Sequence, residues 1–456
     1  MRTQHADVAV IGAGIVGIAC AYYLALSGRA LRIVVIDPLA PMSLTSAVSG
    51  ENYRNWWPHR VMTAFTDHSI DLMEKIARDS GNRLHLTRRG YALATRQAHP
   101  DALIQQLHEG YGAEAAGKIR IHGKRSAGRY QPALSADWES APDGVDVIQD
   151  RAMIAAHFPG FDEAVATILH IRRAGDISGQ QMGSYMLEKV RECGGRLVRG
   201  KVVEVVKTNP HALAVRGESG ASTVVADVVV NAAGPHVDDV AGLVGQSLPV
   251  RTVFQQKIAF EDTLKAISRH MPFSIDLDDQ QIDWSPEERE LLAEDPATAW
   301  LTGRMPGAIH CRPEGGDHGT WVKLGWAFNT TPSKVGDDLP YNSNFPEIVL
   351  HGASRLNPGL KGYYGQLPSR LSYYGGYYTM TRENWPLIGP MGPPGWFVAG
   401  ALSGFGTMAA CATGSLIAGW IGGDPLPEFA PSLGLERHHD SRLMKALLES
   451  ESTGVL

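Results

Sequence analysis

The stretch Asp7-Val-Ala-Val-Ile-Gly12-Ala-Gly14-Ile-Val-Gly17 opens the chain with an apolar run that leads straight into three glycines. This spacing predicts a β-strand, a tight turn and a helix that packs closely against the strand. A second apolar run, Val34-Val35-Ile36, ends in Asp37. The order strand, turn, helix, strand and terminal acid predicts a dinucleotide-binding βαβ unit.

The predicted unit would hold the phosphates of a dinucleotide at the start of its first helix. Unpaired N–H groups and the helix dipole favour negative charge there. Asp37 would accept hydrogen bonds from both hydroxyls of an adenosine ribose, and its charge would repel a 2′-phosphate. A secretory signal is the alternative for an apolar start that follows Arg2, but Asp7 and the glycine spacing argue against it. The unit alone leaves NAD and FAD equally open.

The composition indicates a globular protein of two domains. Its 456 residues exceed what one hydrophobic core usually supports. Lysine and arginine total 42 against 48 for aspartate and glutamate, a net charge of −6, and no basic block indicates a nucleic-acid partner. The four cysteines are far apart, so neither a zinc site nor a disulfide framework is expected. No other metal site is predicted, and the expected compartment is the reducing cytoplasm.

A charge-free segment near the end of the chain, residues 396–421, is long enough to cross a bilayer. Ser403-Gly404-Phe405-Gly406 interrupts it. We therefore predict a strand at 396–401, a glycine turn and a buried helix at 408–420, and no transmembrane segment.

The middle of the chain predicts further strands. The apolar run Val224–Asn231 ends in Ala-Ala-Gly234-Pro235, small residues that leave room for a ring system. Runs at 249–260 and 320–328 predict a second, largely antiparallel sheet. Between them, residues 276–295 are strongly acidic and predict a solvated surface flap. The polar tail beyond Pro431 is predicted to fray.

The chain resembles the D-amino-acid oxidase superfamily of FAD enzymes in three motifs that follow one another in the same order. They are the glycine-rich βαβ unit, the strand that ends at Pro235, and Trp385-Pro-Leu-Ile-Gly-Pro390 followed by Trp396–Gly406. The likeness spans nearly the whole chain. It is closest to the sarcosine and dimethylglycine oxidase and dehydrogenase branch, which oxidises secondary and tertiary amines.

The resemblance implies an α/β fold with a Rossmann-like FAD-binding domain that is assembled from discontinuous segments. The rest of the chain would form an α+β substrate domain with a mainly antiparallel sheet. The expected bounds are 1–85, 165–245 and 375–430 for the FAD-binding domain, 86–164 and 246–374 for the substrate domain with an acidic insertion at 271–300, and 431–456 for a C-terminal tail.

The resemblance also implies which residues bind FAD. Gly12, Gly14 and Gly17 would hold the pyrophosphate, Asp37 the adenosine ribose, and Val203 or its neighbours the adenine. Gly404, Phe405 and Gly406 would present backbone N–H groups to the flavin's electron-rich N1–C2=O edge. The remaining expected FAD contacts are Ile15, Val16, Ser49, Arg54, Ala233, Gly234 and Thr407.

Four residues are expected to carry the chemistry by the same resemblance. Lys323, in Trp321-Val-Lys-Leu-Gly325, resembles a lysine near flavin N5 that promotes the reaction with oxygen. Arg54 resembles an arginine beside the flavin, and Tyr378 a tyrosine of the substrate pocket. His310 falls where another aromatic residue lies, and its unperturbed pKa would make it the most plausible group titrating near neutrality.

The chain departs from the branch at three positions. Trp57 and Met408 stand where two cations bind the carboxylate of a small substrate in sarcosine oxidases. Their replacement suggests a larger or less anionic amine, with Trp56, Trp57 and Met408 as its apolar or cation–π surface. Gly376 stands where the branch has a cysteine that binds the flavin covalently. We therefore expect FAD to be bound non-covalently.

The expected function is oxidation of the C–N bond of a secondary or tertiary amine or an amino acid to an imine, which then hydrolyses. Oxygen is the favoured acceptor, with hydrogen peroxide as the product. The alternatives are a dehydrogenase that uses a quinone or an electron-acceptor protein, oxidation of a 2-hydroxy acid, and a flavin-bearing assembly protein without turnover. The sequence leaves a homo-oligomer open.

Overall fold

The computed structural model describes residues 2–123, 130–133, 138–218, 220–316 and 318–449. The strands in these ranges are β1 Arg2–Ile11, β2 Ile33–Asp37, β3 Asn52–Arg54, β4 Tyr91–Thr95, β5 Ile119–His122, β6 Val145–Ile148, β7 Thr167–Ile171, β8 Ala174–Asp176, β9 Arg196–Arg199, β10 Lys201–Thr208, β11 His211–Gly217, β12 Gly220–Asn231, β13 Arg251–Glu261, β14 Phe273–Asp276, β15 Gln280–Gln281, β16 Arg304–Met305, β17 Ile309–Glu314, β18 Trp321–Gly325, β19 Leu371–Met380, β20 Leu387–Pro390 and β21 Trp396–Gly400. The helices are α1 Ile15–Ala25, α2 Arg60–Asp79, α3 Asp101–Tyr111, α4 Ala115–Lys118, α5 Arg151–His157, α6 Gly179–Glu192, α7 Val237–Gly242, α8 Pro286–Glu294, α9 Phe345–Ser354, α10 Gly406–Gly422 and α11 Ser441–Glu449.

The first sheet has eight strands and draws on the beginning, the middle and the end of the chain. Its order is β10-β11-β12-β1-β2-β9, with β21 also paired to β12 and β20 to β21. The pairs that β1 forms with β12 and β2, and that β2 forms with β9, are parallel. Apolar residues fill both faces of β1, as expected for a covered parallel strand. The predicted Rossmann-like, discontinuous α/β fold is confirmed.

The charge-free segment forms a strand, a turn and a helix inside this domain, as predicted. Helix α10 packs directly on α1, and a Cβ atom at Gly414 would come within 2.5 Å of the Ala19 backbone. Small residues therefore let the two helices approach closely. In the described part of the chain, no helix has both the length and the apolar character that a membrane span requires.

The second sheet has nine strands in the order β19-β13-β18-β17-β14-β4-β7-β6-β5. Six of its eight neighbouring pairs are antiparallel, which confirms the mainly antiparallel prediction. Strand β7 belongs to this sheet, although the predicted boundary at residue 165 put it in the other domain. Strand β19 also belongs to the second sheet, and it extends across residue 375, where the last segment of the FAD-binding domain was predicted to begin.

Two predictions about polar segments were wrong in part. The acidic stretch at 276–295 includes Asp276, which is fully buried at the end of β14 and pairs with Arg96. The exposed helix α8 alone fits a solvated flap. The tail is ordered as far as residue 449, because the buried Arg437 pairs with Glu383 and α11 packs against the core through Leu447. Residues 450–456 lie outside the described ranges.

Candidate active site

Two adjoining cavities lie where the two sheets meet. The first, here called the inner channel, encloses about 760 Å³ including its open end. Its lining contains nine of the predicted cofactor and catalytic residues, namely Gly14, Ile15, Val16, Ser49, Gly234, Tyr378, Gly404, Gly406 and Thr407. Residues that are separated by hundreds of positions in sequence thus surround one elongated space.

Gly12 and Gly17 shape the start of the inner channel through packing and do not line it. Gly12 has a φ of +112°, and a Cβ atom there would lie 2.2 Å from the Ala232 carbonyl oxygen. A Cβ at Gly17 would lie 2.0 Å from the Gly12 carbonyl oxygen. Only glycine therefore lets α1 approach β1 and β12 this closely. As a result, the N-terminus of α1 points into the channel.

The carboxylate of Asp37 lies at the end of β2, where the sequence predicts it. Its Oδ2 accepts a hydrogen bond from the backbone N–H of Ala13 at 2.7 Å, and Oδ1 accepts one from Leu39 at 2.7 Å. A carboxylate has about four acceptor positions, so two stay available for hydroxyl donors. The hydroxyl of Ser46, which the sequence did not reveal, accepts a hydrogen bond from the Ile15 N–H at 3.0 Å.

The turn between β21 and α10 forms the far end of the inner channel. Ala401 and Ser403 have positive φ angles of 56° and 45° without being glycine. Such backbone strain is concentrated at functional sites. A Cβ at Gly404 would lie 2.5 Å from the Tyr378 ring, so this glycine lets the turn approach the tyrosine. Helix α10 begins at Gly406, and its N-terminus faces the inner channel.

Besides Gly12, Gly17, Asp37 and Arg54, three further predicted cofactor residues do not line the inner channel. Val203 is half-buried on β10, Ala233 is half-buried beside Gly234, and Phe405 lines the neighbouring cavity instead. Their roles stay predictions.

The second cavity, here called the side pocket, opens from the inner channel and encloses about 1130 Å³ including its mouth. It brings together the predicted residues Arg54, Trp57, His310, Tyr378 and Met408 with Ser49, Gly404, Phe405 and Thr407. Amides, hydroxyls and aromatic rings make up half of the remaining wall, and the other half consists of Glu51, Arg251, Lys257 and small or apolar residues.

Trp56 lines neither cavity, so its role in substrate binding stays a prediction. It is buried among Tyr91 and Leu107 on the opposite side of the backbone from Trp57, and its indole lies against Gly110 of α3. Of the two tryptophans, only Trp57 lines the side pocket.

Arg54 supplies a buried cation to the side pocket. It is 2% exposed, and its guanidinium carbon lies 4.8 Å from the centre of the Trp57 ring. Burial lowers the pKa of Arg54 to about 10, which still leaves it charged at neutral pH. Trp57 in turn packs edge-on against Phe405 at 4.9 Å. The arginine is thus held between the first loop and the turn before α10.

Lys257 lines both cavities, and the sequence analysis did not single it out. Its Nζ donates a hydrogen bond to Tyr378 Oη at 3.2 Å, and the residue is 4% exposed. Among the described residues, no carboxylate lies within the 4.0 Å of an ion pair from this Nζ. Because a buried cation is costly without a partner, we expect an anionic group beside it. A lysine within the run predicted as a strand at 249–260 was the available signal.

Lys323 lies on the same sheet face as Lys257 but lines neither cavity. Its Nζ is 2.5 Å from Glu314 Oε1. Burial and the nearby Arg312 lower the pKa of Lys323 to about 8, although Glu314 opposes the shift. Its charge is therefore largely offset by a partner, unlike that of Lys257.

His310 faces the side pocket next to Gly325, where a Cβ atom would clash with the imidazole at 2.2 Å. Burial, followed by the charges of Lys257, Lys323 and Arg312, lowers the pKa of His310 to about 3. The prediction that His310 titrates near neutrality was wrong, because sequence reveals neither the burial of the imidazole nor the three cations around it.

The low pKa of His310 makes the protein sensitive to acid. Above pH 6.5 the imidazole is neutral in both the folded and the unfolded chain. Between pH 6.5 and 3 only the unfolded chain takes up the proton, so stability falls by about 1.4 kcal/mol per pH unit. We expect His310→Gln to reduce the loss of unfolding free energy between pH 6.5 and 4.5 by about 2–3 kcal/mol. Urea unfolding at each pH measures this change.

The exposed His99 provides the control for this measurement. His99→Gln should keep the pH dependence of the parent chain. An unchanged slope in His310→Gln would show that the imidazole is protonated in the folded state.

The family model described as DAO, FAD dependent oxidoreductase, matches residues 7–420. The chain belongs to this family. Members of the DAO family are FAD-dependent oxidoreductases, and the chain is therefore an FAD-dependent oxidoreductase. No curated protein sequence matches it.

Several solved structures have the same fold as this chain. Glycine oxidase from Geobacillus kaustophilus is 17% identical with a TM-score of 0.69, covering 95% of this chain and 99% of its own. L-proline dehydrogenase from P. horikoshii is 17% identical with a TM-score of 0.70, covering 96% and 99%. Iminodiacetate oxidase from Chelativorans sp. BNC1 is 17% identical with a TM-score of 0.66, covering 92% and 97%.

The residues present fit the cofactor of the DAO family. The glycine contacts at Gly12 and Gly17 leave no room for side chains where α1 meets the sheet. Asp37 keeps acceptor positions for hydroxyl groups, and two helix N-termini face one elongated channel. A dinucleotide with a ring system at one end requires each of these features.

Proposed function

We propose that this DAO-family enzyme oxidises the C–N bond of an amino acid or of a secondary or tertiary amine that carries a carboxylate. The product is an imine, which hydrolyses to a carbonyl compound. The observation that carries the proposal is a pair of buried cations, Arg54 and Lys257, in a pocket that opens on the inner channel. The names of three structural neighbours, a glycine oxidase, a proline dehydrogenase and an iminodiacetate oxidase, agree with an amino-acid-like substrate.

FAD would occupy the inner channel without a covalent bond. Gly14 to Val16 and the start of α1 would hold the pyrophosphate, Asp37 the ribose, and Gly404 to Gly406 the electron-rich edge of the ring. The bound cofactor would take two electrons from the substrate and pass them to an acceptor. Non-covalent binding is supported because none of the four cysteines lines either cavity. Release of the flavin on acid precipitation tests it.

The charges in the side pocket favour the reactive form of the amine. Oxidation requires a neutral amine with a free lone pair, and neighbouring cations disfavour an ammonium ion. Glu51 is the single carboxylate among the described lining residues, and its Oε1 accepts a hydrogen bond from the Gly179 N–H at 2.8 Å. His310 is neutral at physiological pH. The pocket therefore stabilises a substrate carboxylate much more than a substrate ammonium.

The pocket also revises the expected substrate. The replacement of two family cations by Trp57 and Met408, which both line the pocket, still supports a molecule larger than sarcosine. Those replacements also suggested a substrate with less negative charge. The cations of Arg54 and Lys257 argue against this second expectation. Trp57, Tyr378 and Met408 would contact the apolar part of the substrate.

Oxygen is the proposed acceptor. The Lys-Leu-Gly strand that contains Lys323 is the feature that supports it, by resemblance to the amine oxidase branch. A dehydrogenase that transfers electrons to a quinone or a protein has the same fold, so the acceptor has to be measured.

The proposed function predicts that an amino acid or N-alkyl amino acid bleaches the flavin spectrum of the holoenzyme under anaerobic conditions. Admission of air should then restore the spectrum and release hydrogen peroxide. Matched amines that lack a carboxylate should react at least ~10-fold more slowly, because they lose about 1.4 kcal/mol of binding to the buried cations.

The controls for this screen are 2-hydroxy acids of the same carbon skeletons. Bleaching by hydroxy acids alone would replace C–N oxidation with alcohol oxidation. A flavin that no amine and no hydroxy acid can reduce would contradict an enzymatic role on these substrates. Reduction without reoxidation in air would identify a dehydrogenase.

A further inference from the structure

Strand β13 forms one long wall of the side pocket. Its alternate residues Arg251, Val253, Gln255 and Lys257 all line this pocket, since alternate side chains of a strand lie on one face. Six residues at about 3.4 Å per residue separate the ends of this row, so the Cα atoms of Arg251 and Lys257 lie about 20 Å apart. The pocket is therefore elongated along β13.

The two ends of this wall differ in their surroundings. Lys257 is buried at the junction with the inner channel, whereas Arg251 is exposed at the opposite end. Met380, which pairs with Arg251 on the neighbouring strand β19, lines the pocket as well. The reacting end of a substrate thus belongs near Lys257, and its far end near Arg251.

Each end carries a cation that no protein carboxylate neutralises. In the described ranges, no carboxylate oxygen lies within 4.0 Å of the Arg251 guanidinium or the Lys257 ammonium. The wall between them is neutral, and the Gln255 amide donates to the Asn329 carbonyl oxygen at 2.7 Å. Glu51, the carboxylate of the pocket, is bonded to the N-terminus of α6. A substrate with one carboxylate would satisfy only the inner end.

We propose that Arg251 binds a second anionic group of the substrate, at the end remote from the reacting amine. The substrate class is then an amino acid or N-alkyl amino acid with a second carboxylate several bonds from the first. The planar guanidinium can hold a carboxylate through two parallel hydrogen bonds. This inference rests on the proposed function and adds to it the chemical class of the substrate.

Unreactive carboxylates test the inference by binding, without turnover. Aliphatic monocarboxylates and α,ω-dicarboxylates of the same carbon number are titrated into the holoenzyme, and the shift in flavin absorbance gives each Kd. At the best chain length, the dicarboxylate should bind at least ~10-fold more tightly than its matched monocarboxylate, which corresponds to about 1.4 kcal/mol. Both side chains are long and flexible, so a series of lengths is required.

The variant Arg251→Gln should reduce this preference to less than ~2-fold, and Arg251→Lys should retain part of it because the charge remains. The exposed Arg196 of β9 lies outside both cavities, and Arg196→Gln is the matched control for the loss of one positive charge. This control should keep the full preference. If Arg251→Gln and Arg196→Gln lost the preference for dicarboxylates equally, the effect would come from net charge alone. That result would overturn the inference.

Two further outcomes would overturn it: equal binding of mono- and dicarboxylates at every length, and a preference that persists in Arg251→Gln. The turnover screen decides the proposed function separately. A dicarboxylate preference that depends on Arg251 supports the second anionic site even if no amine is oxidised. Rapid amine oxidation without this preference leaves the function in place and removes the site.

Discussion

Replacing Lys257 by methionine should lower kcat/KM for carboxylate-bearing substrates at least ~100-fold. The loss corresponds to about 2.7 kcal/mol, within the range for removal of one partner of a buried charge pair. Methionine keeps the length of the side chain and removes the charge and the hydrogen bond to Tyr378. The Kd of an unreactive monocarboxylate should rise by a similar factor. Stopped-flow measurement of flavin reduction gives kcat/KM, and titration of the monocarboxylate into the holoenzyme, followed by flavin absorbance, gives the Kd.

Lys323→Met provides a comparison within the same sheet face. Lys323 is paired with Glu314 and lies outside both cavities, so its replacement should leave carboxylate binding nearly unchanged. If Lys323 promotes the reaction with oxygen, the variant should slow reoxidation far more than anaerobic reduction. Equal effects on both half-reactions would contradict that role. Normal carboxylate binding in Lys257→Met would contradict the assignment of Lys257.

Substituting Gly17 by alanine should weaken FAD binding at least ~100-fold. The added Cβ would lie 2.0 Å from the Gly12 carbonyl oxygen, so α1 must move away from the turn that precedes it. Overpacking of this kind costs about 1–3 kcal/mol in itself. The shift also displaces the N–H groups of α1 that are proposed to hold the pyrophosphate. Equilibrium dialysis of the apoprotein and the flavin content after purification measure the effect.

Gly242→Ala is the matched control, since Gly242 is an exposed helical glycine with open space around its Cα. It should bind FAD like the parent chain. Far-ultraviolet circular dichroism distinguishes lost cofactor binding from lost folding in Gly17→Ala. Full retention of FAD by this variant would mean that the helix can move without affecting the site.

Local patterns predicted four strands of the first sheet, β1, β2, β12 and β21, and the two helices α1 and α10. The strand before Gly12 and the helix after Gly14 depend on neighbours within a few residues, so the sequence is sufficient to recognise them. The charge-free segment at 396–421 was recognised as strand, turn and helix for the same reason. The resemblance to the D-amino-acid oxidase superfamily then assigned distant segments to one FAD-binding domain, because its three motifs occur here in the same order.

The parts that were missed depend on which side chains meet in space. Lys257 and Arg251 gain significance only because β13 runs along a cavity whose opposite walls come from other segments. The neutral state of His310 depends first on its burial and then on cations that β13, β17 and β18 bring close to it. Trp56 and Trp57 are adjacent in sequence, yet only Trp57 lines the side pocket.

The construction of the first sheet also has consequences for biosynthesis. Strand β1 is synthesised before its partner β12 and the turn before α10, which follow some 200 and 400 residues later. At about 5–20 residues per second, roughly 20–80 s pass before the complete FAD-binding domain exists. Until β12 follows, roughly 10–40 s at the same rate, the apolar β1 has an unpaired edge, which invites association with other chains. Flavin incorporation is therefore a late step in the maturation of this enzyme.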